Sequence, residues 1–258
     1  MTSAARNPAA TVEAVLLDMD DTVFDHSLTC RAAIASLRAG RAFLRRRPLD
    51  ELWQEYLRLL DSVAPYAGPA GLSPSEARRE RWRRLARSCG AELTPTEVAE
   101  LSDTYRARYQ RLRRAVPGAL QLLQRLHGQV KVAIVTNNEV AEQQEKVRFL
   151  GVRDWIDALV VSEGVGVAKP DRRIFEAALD TLGVPAAHAT MLGDSWTSDV
   201  MGAQGAGVRP VWFNRFGLPR PDGRSVDELR SLRPLGPAQA LLLRRPARPP
   251  GAPPPRAL

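Results

Sequence analysis

The stretch Val12-Glu13-Ala14-Val15-Leu16-Leu17-Asp18-Met19-Asp20-Asp21-Thr22 frames the reading of the whole chain. Its first half is a short, nearly continuous apolar run, the pattern of a strand buried on both faces of a parallel sheet. It then ends abruptly in carboxylates. Side chains alternate along a strand end, so Asp18 and Asp20 project to one side and converge on a common point. Two carboxylates held that close do not both stay charged without a cation nearby, and an oxygen-rich pair of this kind suits Mg²⁺. Taken alone the segment reads equally well as a solvated acidic turn, so the rest of the chain has to decide.

Working outward, three later runs look like the first: Val130–Val135, Ala158–Val161 with Ile156 just before it, and Val208–Phe213. A shorter one, Thr190–Leu192, runs straight into Gly193-Asp194. Between them lie helical patterns at Ala119–Leu126, Glu139–Leu150, Arg172–Leu182 and Ser198–Ala206, several closed by a glycine as helix C-termini prefer. Strands alternating with helices predict an α/β fold, a doubly wound, Rossmann-like parallel sheet.

Residues 27–112 break that rhythm. Leu52, Trp53, Tyr56, Leu57 and Leu60 recur at helical spacing. Ser73-Pro74-Ser75-Glu76 and Thr94-Pro95-Thr96-Glu97 both read as capping boxes with proline at the first helical position, opening helices over 74–89 and 95–112. The expectation is an all-helical cap over 27–112, inserted after the first strand of a core made of 1–26 and 113–216. Insertions at the carboxyl edge of such a sheet commonly act as lids. From Gly217 the composition changes again: 10 of the chain's 20 prolines lie in 217–258. One helix over Ser225–Leu232 is expected there, and otherwise a largely disordered tail, above all over 244–258.

Charge is regional. Of 37 basic residues only Lys131, Lys146 and Lys169 are lysines, a skew toward arginine that reflects coding bias more readily than a phosphate-binding stripe. Residues 27–112 carry 16 Arg against 10 acids and residues 217–258 carry 8 Arg against 3, whereas the remainder is mildly acidic. Anionic small substrates would be drawn toward a basic middle segment above a metal-bearing core. A non-catalytic nucleic-acid-binding protein using the arginine-rich cap and tail is the alternative from another class, though a solvated helix face is the commoner meaning of such runs. No uninterrupted apolar stretch approaches the ~18–20 residues a bilayer span needs, and Met1–Ala10 lacks the apolar region of a secretory signal. Two cysteines, Cys30 and Cys89, are too few for a disulfide scaffold or a structural zinc site. A soluble, cytoplasmic protein is expected, with no membrane partner.

Three further clusters fall where the sheet's carboxyl edge should be, the place where open α/β sheets bind ligands. Thr136-Asn137-Asn138 ends the second core strand, where a hydroxyl and the following backbone N–H groups suit phosphate oxygens. Lys169-Pro170 precedes a helix and supplies a point charge for a phosphoryl group. Gly193-Asp194-Ser195-Trp196-Thr197-Ser198-Asp199 brings two more carboxylates.

The ordered set Asp18-x-Asp20-x-Thr22, Thr136, Lys169-Pro170 and Gly193-Asp194-x-x-x-x-Asp199 resembles the haloacid dehalogenase superfamily, and within it the subfamily IA-like phosphatases with a helical cap after the first motif. The resemblance covers about residues 11–216. It implies that Asp18 is the nucleophile that forms an aspartyl-phosphate, and that Asp20 protonates the leaving alkoxide and then takes a proton from water. It implies Mg²⁺ held by Asp18, the Asp20 backbone carbonyl and Asp194. Thr136, Asn137 and Lys169 would hold the transferring oxygens, with Asp199 and Thr22 as supports behind them. True dehalogenases in this superfamily lack an aspartate two residues after the nucleophile, because a halide leaves without a proton, so Asp20 argues against dehalogenation. Glu163–Asp171 with Ile174-Phe175, and Val211-Trp212-Phe213-Asn214, are similar to a branch containing nucleoside 5′-monophosphatases, with N-acylneuraminate 9-phosphatase-like and phosphoglycolate phosphatases as neighbours. The implied function is a Mg²⁺-dependent phosphatase for a small phosphorylated metabolite, foremost a nucleoside 5′-monophosphate. A phosphosugar or phosphoglycolate phosphatase, or a phosphosugar mutase on the same scaffold, is the alternative. Met19 and Asn138 depart from the common Phe and Gly at their positions without touching the chemistry, since Asn tolerates a left-handed backbone.

Blander roles are expected elsewhere. His26 reads as a partly exposed loop histidine in preference to a substrate contact, His127 and His188 as structural, Trp53 and Tyr56 as cap core, and Asp21 as a turn residue. Gly164-x-Gly166 lacks the third glycine of a dinucleotide fingerprint. Cys30 and Cys89 are expected to pack as small apolar groups.

Overall fold

A computed structural model describes residues 12–63 and 72–244. In chain order the elements are β1 (Ala14–Leu17), α1 (His26–Gly40), α2 (Ala42–Arg45), α3 (Leu49–Val63), α4 (Pro74–Ser88), α5 (Pro95–Leu112), α6 (Ala119–Leu126), β2 (Lys131–Thr136), α7 (Val140–Leu150), β3 (Ala158–Val161), α8 (Ser162–Val165), α9 (Arg172–Leu182), β4 (Ala189–Gly193), α10 (Gly202–Gly205), β5 (Arg209–Phe213), β6 (Asp227–Leu229) and α11 (Leu235–Leu242). They form two compact units. One holds β1 with the residues up to Phe24 and the described residues from Ala115 onward, and the other holds the described residues of Asp25–Arg114.

The first unit is a six-stranded sheet in the order β3-β2-β1-β4-β5-β6, parallel throughout. The chain starts in the middle, winds out through β2 and β3, and returns to the other side of β1 for β4 to β6. Strand order therefore reverses at β1, the position where a doubly wound sheet opens a crevice beyond its carboxyl ends. Leu17 pairs with both Ile134 and Leu192, so the residues that follow β1, β2 and β4 emerge at nearly one level. The apolar runs are buried as a parallel sheet requires: Ala14, Leu16, Ala133, Val135, Ala158, Val160, Ala189 and Met191 pack one face against Ile174, Phe175 and Ala178 of α9. Gly202 lets that layer close, because a Cβ there would come within 2.8 Å of the Phe175 ring.

Two expectations change in this unit. The helix expected over 198–206 is a π-helical turn, Trp196–Met201, followed by α10. The stretch 217–244, expected as a disordered tail with a helix at 225–232, instead carries β6 and α11. The charged segment Asp227-Glu228 becomes an edge strand because cations pin it: Arg209 and Arg244 bind Asp227 at 2.9 and 2.6 Å, while Arg220 reaches Glu228 at 3.2 Å. Charge on an edge strand also discourages pairing with another chain. α11 docks through its last carbonyls, since Leu242 O accepts from Thr190 Oγ1 at 3.0 Å and from Arg209 Nη2 at 2.9 Å. Of the disordered tail expected over 244–258, all but Arg244 lies outside the described residues.

The second unit is helical, as the capping boxes require. Ser73 and Thr94 each accept from the backbone N–H three residues on, and Glu76 and Glu97 reach back to the cap N–H groups. Its core is aromatic: the rings of Tyr56, Trp82 and Tyr105 lie 4.9–5.5 Å apart. Cys30 and Cys89 are buried and free. His26 opens α1 and meets Tyr109 Oη at 2.8 Å. The arginine runs are largely engaged within the unit, with Arg46 on the Cys89 and Gly90 carbonyls and Arg83 and Arg84 on Glu80. Among the described residues no helix is long and apolar enough to cross a membrane.

Candidate active site

The strand ends of the first unit bring the carboxylates together. Asp18 follows β1, with its backbone N–H on Leu192 O at 2.9 Å. Residues 19–24 then form a tight loop, with the Val23 and Phe24 N–H groups on Met19 O and the Asp21 N–H on Phe24 O at 2.7 Å. Asp21 takes the left-handed conformation there, φ 61°, one of the few residues besides glycine that does so at modest cost. Thr22 is fully buried, and among the described residues its hydroxyl has no hydrogen-bond partner.

Lys169 is the centre of the arrangement. Its buried Nζ lies 2.6 Å from Asp18 Oδ1, 2.6 Å from Asp199 Oδ1 and 2.7 Å from the Val135 carbonyl. All three ammonium protons are thereby placed. The lysine backbone is clamped by Asn137, whose amide accepts from Lys169 N at 2.7 Å and donates to Lys169 O at 2.9 Å. Asn137 thus brings its side chain to the lysine loop, while Thr136, 1 % exposed, ends β2 beside it. Asp199 sits at the π-helical turn with its second oxygen on Ser195 N at 2.9 Å. Gly193 makes room for it, since a Cβ on Gly193 would stand 2.3 Å from Asp199 Cγ. Asp194 is half-buried at the end of β4, and its backbone carbonyl accepts from Trp212 Nε1 at 2.8 Å.

Asp18, Asp194 and Asp199 can each bring a carboxylate oxygen within 4.8 Å of the others. Burial pushes the Asp18 carboxyl up to about 7; Lys169 opposes that rise, whereas Asp199 and Asp20 add to it. Burial, then the charges of Asp18, Asp199 and Asp21, hold Asp194 well above the usual carboxylate range. Burial works against the Lys169 charge, but Asp18 and Asp199 outweigh it and raise its pKa. Several carboxylates thus face one ammonium, and the negative excess is what a divalent cation offsets. Carboxylate oxygens are hard donors that suit Mg²⁺. Both Asp199 oxygens are already engaged, by Lys169 and Ser195. Among the described residues nothing donates to the second oxygen of Asp18 or to the Asp194 carboxylate, so these are the groups left to hold a cation.

Asp20 shows what the sequence reading missed. Its carboxylate is held by Lys146 Nζ, 2.8 Å from each oxygen, and by Gln143 Nε2 at 3.2 Å. Both come from α7, where Gln143, Lys146, Val147 and Leu150 form the buried face. The available signal was two polar residues on the inward stripe of an amphipathic helix.

Residues 12–207 match the haloacid dehalogenase-like hydrolase family. The chain belongs to that family. It is 32 % identical over 246 residues to a phosphoserine phosphatase of Thermus thermophilus, covering 84 % of this chain and 94 % of that protein. It is 37 % identical over 134 residues to the pyrimidine 5′-nucleotidase YjjG of Escherichia coli, a match spanning 52 % of this chain and 60 % of the relative. Among solved structures, the putative HAD-hydrolase YfnB of Bacillus subtilis, bound to magnesium, superposes with a TM-score of 0.67 at 25 % identity, covering 88 % of this chain and 98 % of that one.

Proposed function

We propose that this hydrolase is a Mg²⁺-dependent phosphatase that cleaves a small soluble phosphomonoester through an aspartyl-phosphate on Asp18. The observation that carries the reading is the state of Asp18 at the end of the central strand of the sheet: Lys169 fixes one oxygen at 2.6 Å, and among the described residues nothing donates to the other. A carboxylate so held, with Lys169 and Asp194 beside it, is placed to act as a nucleophile. An Asp18 carboxylate oxygen attacks phosphorus, and the bond to the leaving oxygen breaks. Asp20 gives its proton to that oxygen, then accepts one from the water that attacks the aspartyl-phosphate. Lys169, fixed by Asn137 and Asp199, holds its charge beside the transferring oxygens together with Thr136. Asp18, Asp194 and the Asp20 carbonyl would hold Mg²⁺, which when bound offsets the repulsion between the nucleophile and the phosphate dianion. Asp20 also argues for an oxygen leaving group over a halide.

A nucleoside 5′-monophosphate is the leading substrate class, supported by the 37 % identity to the E. coli pyrimidine 5′-nucleotidase. The broader match to a phosphoserine phosphatase makes an amino-acid phosphate the comparison to include. Free thiols at Cys30 and Cys89 suit the reducing cytoplasm to which we assign the protein. The test is phosphate release with Mg²⁺ from a panel of nucleoside monophosphates, sugar phosphates, phosphoserine, phosphoglycolate and an acylneuraminate phosphate, with Asp18→Asn as the blank. Release concentrated on nucleoside monophosphates is expected. Isomerised phosphosugar without free phosphate would replace the reading by a mutase, and a folded protein silent on every ester would overturn it.

A further inference from the structure

The geometry points to Lys146 and Gln143 as the positioning residues of the acid/base Asp20. The inference rests on the phosphatase reading above and adds two residues that lie outside its motifs. The chain contains three lysines among 37 basic residues. Lys131 is exposed on Asp157. The other two are buried, and each is bound to a carboxylate of the site: Lys169 to Asp18 and Asp199, Lys146 to Asp20.

The α7 pair is poorly explained by stability alone. Lys146 is 2 % exposed and Gln143 is fully buried. Among the described residues the buried Oε1 of Gln143 has no hydrogen-bond partner, while its Nε2 faces Asp20. Turning the amide over would place oxygen against a carboxylate, so the orphaned acceptor is the consequence of presenting N–H to Asp20. Apolar side chains at all three positions, Asp20 included, would complete the Val147–Leu150 stripe without a buried charge or an orphan acceptor, and replacing a whole buried ion pair in this way is commonly neutral or stabilising. The Lys146 ammonium is further fixed by Glu142 at 3.3 Å and by the Phe24 ring, 5.3 Å below it.

Three contacts from one helix define the plane and direction of the Asp20 carboxyl. Lys146 touches both oxygens and Gln143 touches Oδ2. In the transfer step the phosphorus–leaving-oxygen bond breaks, the bond from Asp18 to phosphorus forms, and the Asp20 proton moves to the leaving oxygen. A protonated carboxyl retains acceptor capacity, so it stays anchored to Lys146 while donating. The charge that develops on Asp20 then faces an ammonium already in place.

The test separates leaving groups. An alkoxide needs the proton from Asp20; p-nitrophenolate leaves without one. With Mg²⁺ present, kcat/KM is measured for the best alkyl phosphate of the panel and for p-nitrophenyl phosphate, using wild type, Asp20→Asn, Lys146→Met and Gln143→Leu. Misplacing a reacting group by about 1 Å costs on the order of 10²-fold, so Lys146→Met should lower the alkyl-to-aryl ratio by about that factor. Gln143→Leu should lower it in the same direction by less, and Asp20→Asn by at least as much as Lys146→Met. A parallel fall on both esters, or an unchanged ratio, in the variants that fold would overturn the inference; Gln143→Leu carries the test if Lys146→Met does not fold. Wild type inactive on both esters would instead overturn the phosphatase reading. The Asp20→Asn split without a Lys146 or Gln143 split would leave that reading standing and remove this one.

Discussion

Gly193→Ala is a one-carbon perturbation whose effect follows from the geometry. The added Cβ would lie 2.3 Å from both Cγ and Oδ2 of Asp199, roughly 1 Å short of the ~3.5 Å at which carbon atoms pack. The carboxylate is not free to retreat by that amount. Its oxygens hold Lys169 Nζ at 2.6 Å and Ser195 N at 2.9 Å, and Lys169 in turn holds Asp18 at 2.6 Å. A shift of about 1 Å therefore passes directly to the nucleophile, where misplacement on that scale lowers turnover by ~10²-fold. Overpacking of this kind costs about 1–3 kcal/mol, which for a chain of this size lowers Tm by roughly 2–12 °C. Phosphate release and thermal melting of Gly193→Ala are compared with Gly205→Ala, whose Cβ meets nothing within 4 Å. Gly205→Ala should keep wild-type activity and melt at or slightly above wild type. Gly193→Ala with wild-type Tm and kcat would refute the reasoning, because it would mean the Asp199 carboxylate is not wedged against β4.

Other consequences follow from charge. The Asp18 carboxyl is raised from its ordinary value of 3.8 to about 7, chiefly by burial. In that window the metal-free native state holds a proton that the unfolded chain has released, so stability falls as pH rises from about 4 to 7. Mg²⁺ competes with the same proton, so its affinity should strengthen between pH 6 and 8 by titration calorimetry; a pH-independent affinity would contradict the assignment of Asp18 as a ligand. Lys169→Met leaves Asp18 and Asp199, 7 % and 1 % exposed, without their shared cation. About 3–5 kcal/mol of stability and all measurable turnover should be lost, with an unchanged urea midpoint as the contrary result. Asp227→Ala removes the partner of Arg209 and Arg244, so amide exchange should quicken at Asn214, whose N–H donates to Leu229 O, with kcat little changed. Exchange as slow as wild type would show that β6 does not depend on those pairs.

What was legible in the sequence is the part that strands place. Asp18, Thr136, Asp194 and Asp199 lie at or soon after strand ends, and Lys169 just before α9. A parallel sheet with reversing order brings such positions to one edge whatever the intervening sequence. Lys146 and Gln143 escaped notice because a lysine on a helix ordinarily reads as a solvated cation, and the inward stripe of α7 is recognisable only once its polar members are seen buried. β6 escaped for a different reason. Asp227-Glu228-Leu229 has neither alternation nor β-branched residues, and its pairing is set by Arg209, Arg220 and Arg244, which sequence does not place beside it. The Pro-rich composition around α11 hid a helix whose one internal proline, Pro237, sits in its first turn, where no N–H is needed.

The central claim is that Asp18 carries the phosphoryl group between substrate and water. It is tested most directly by rapid acid quenching of the Mg²⁺-loaded enzyme during turnover of its best phosphomonoester, followed by mass spectrometry of the peptide containing residues 12–31. The account predicts a phosphoryl modification on Asp18 that appears only while substrate remains and is absent from Asp18→Asn. Steady turnover with that peptide unmodified throughout, or with the phosphoryl group on another residue, would contradict it.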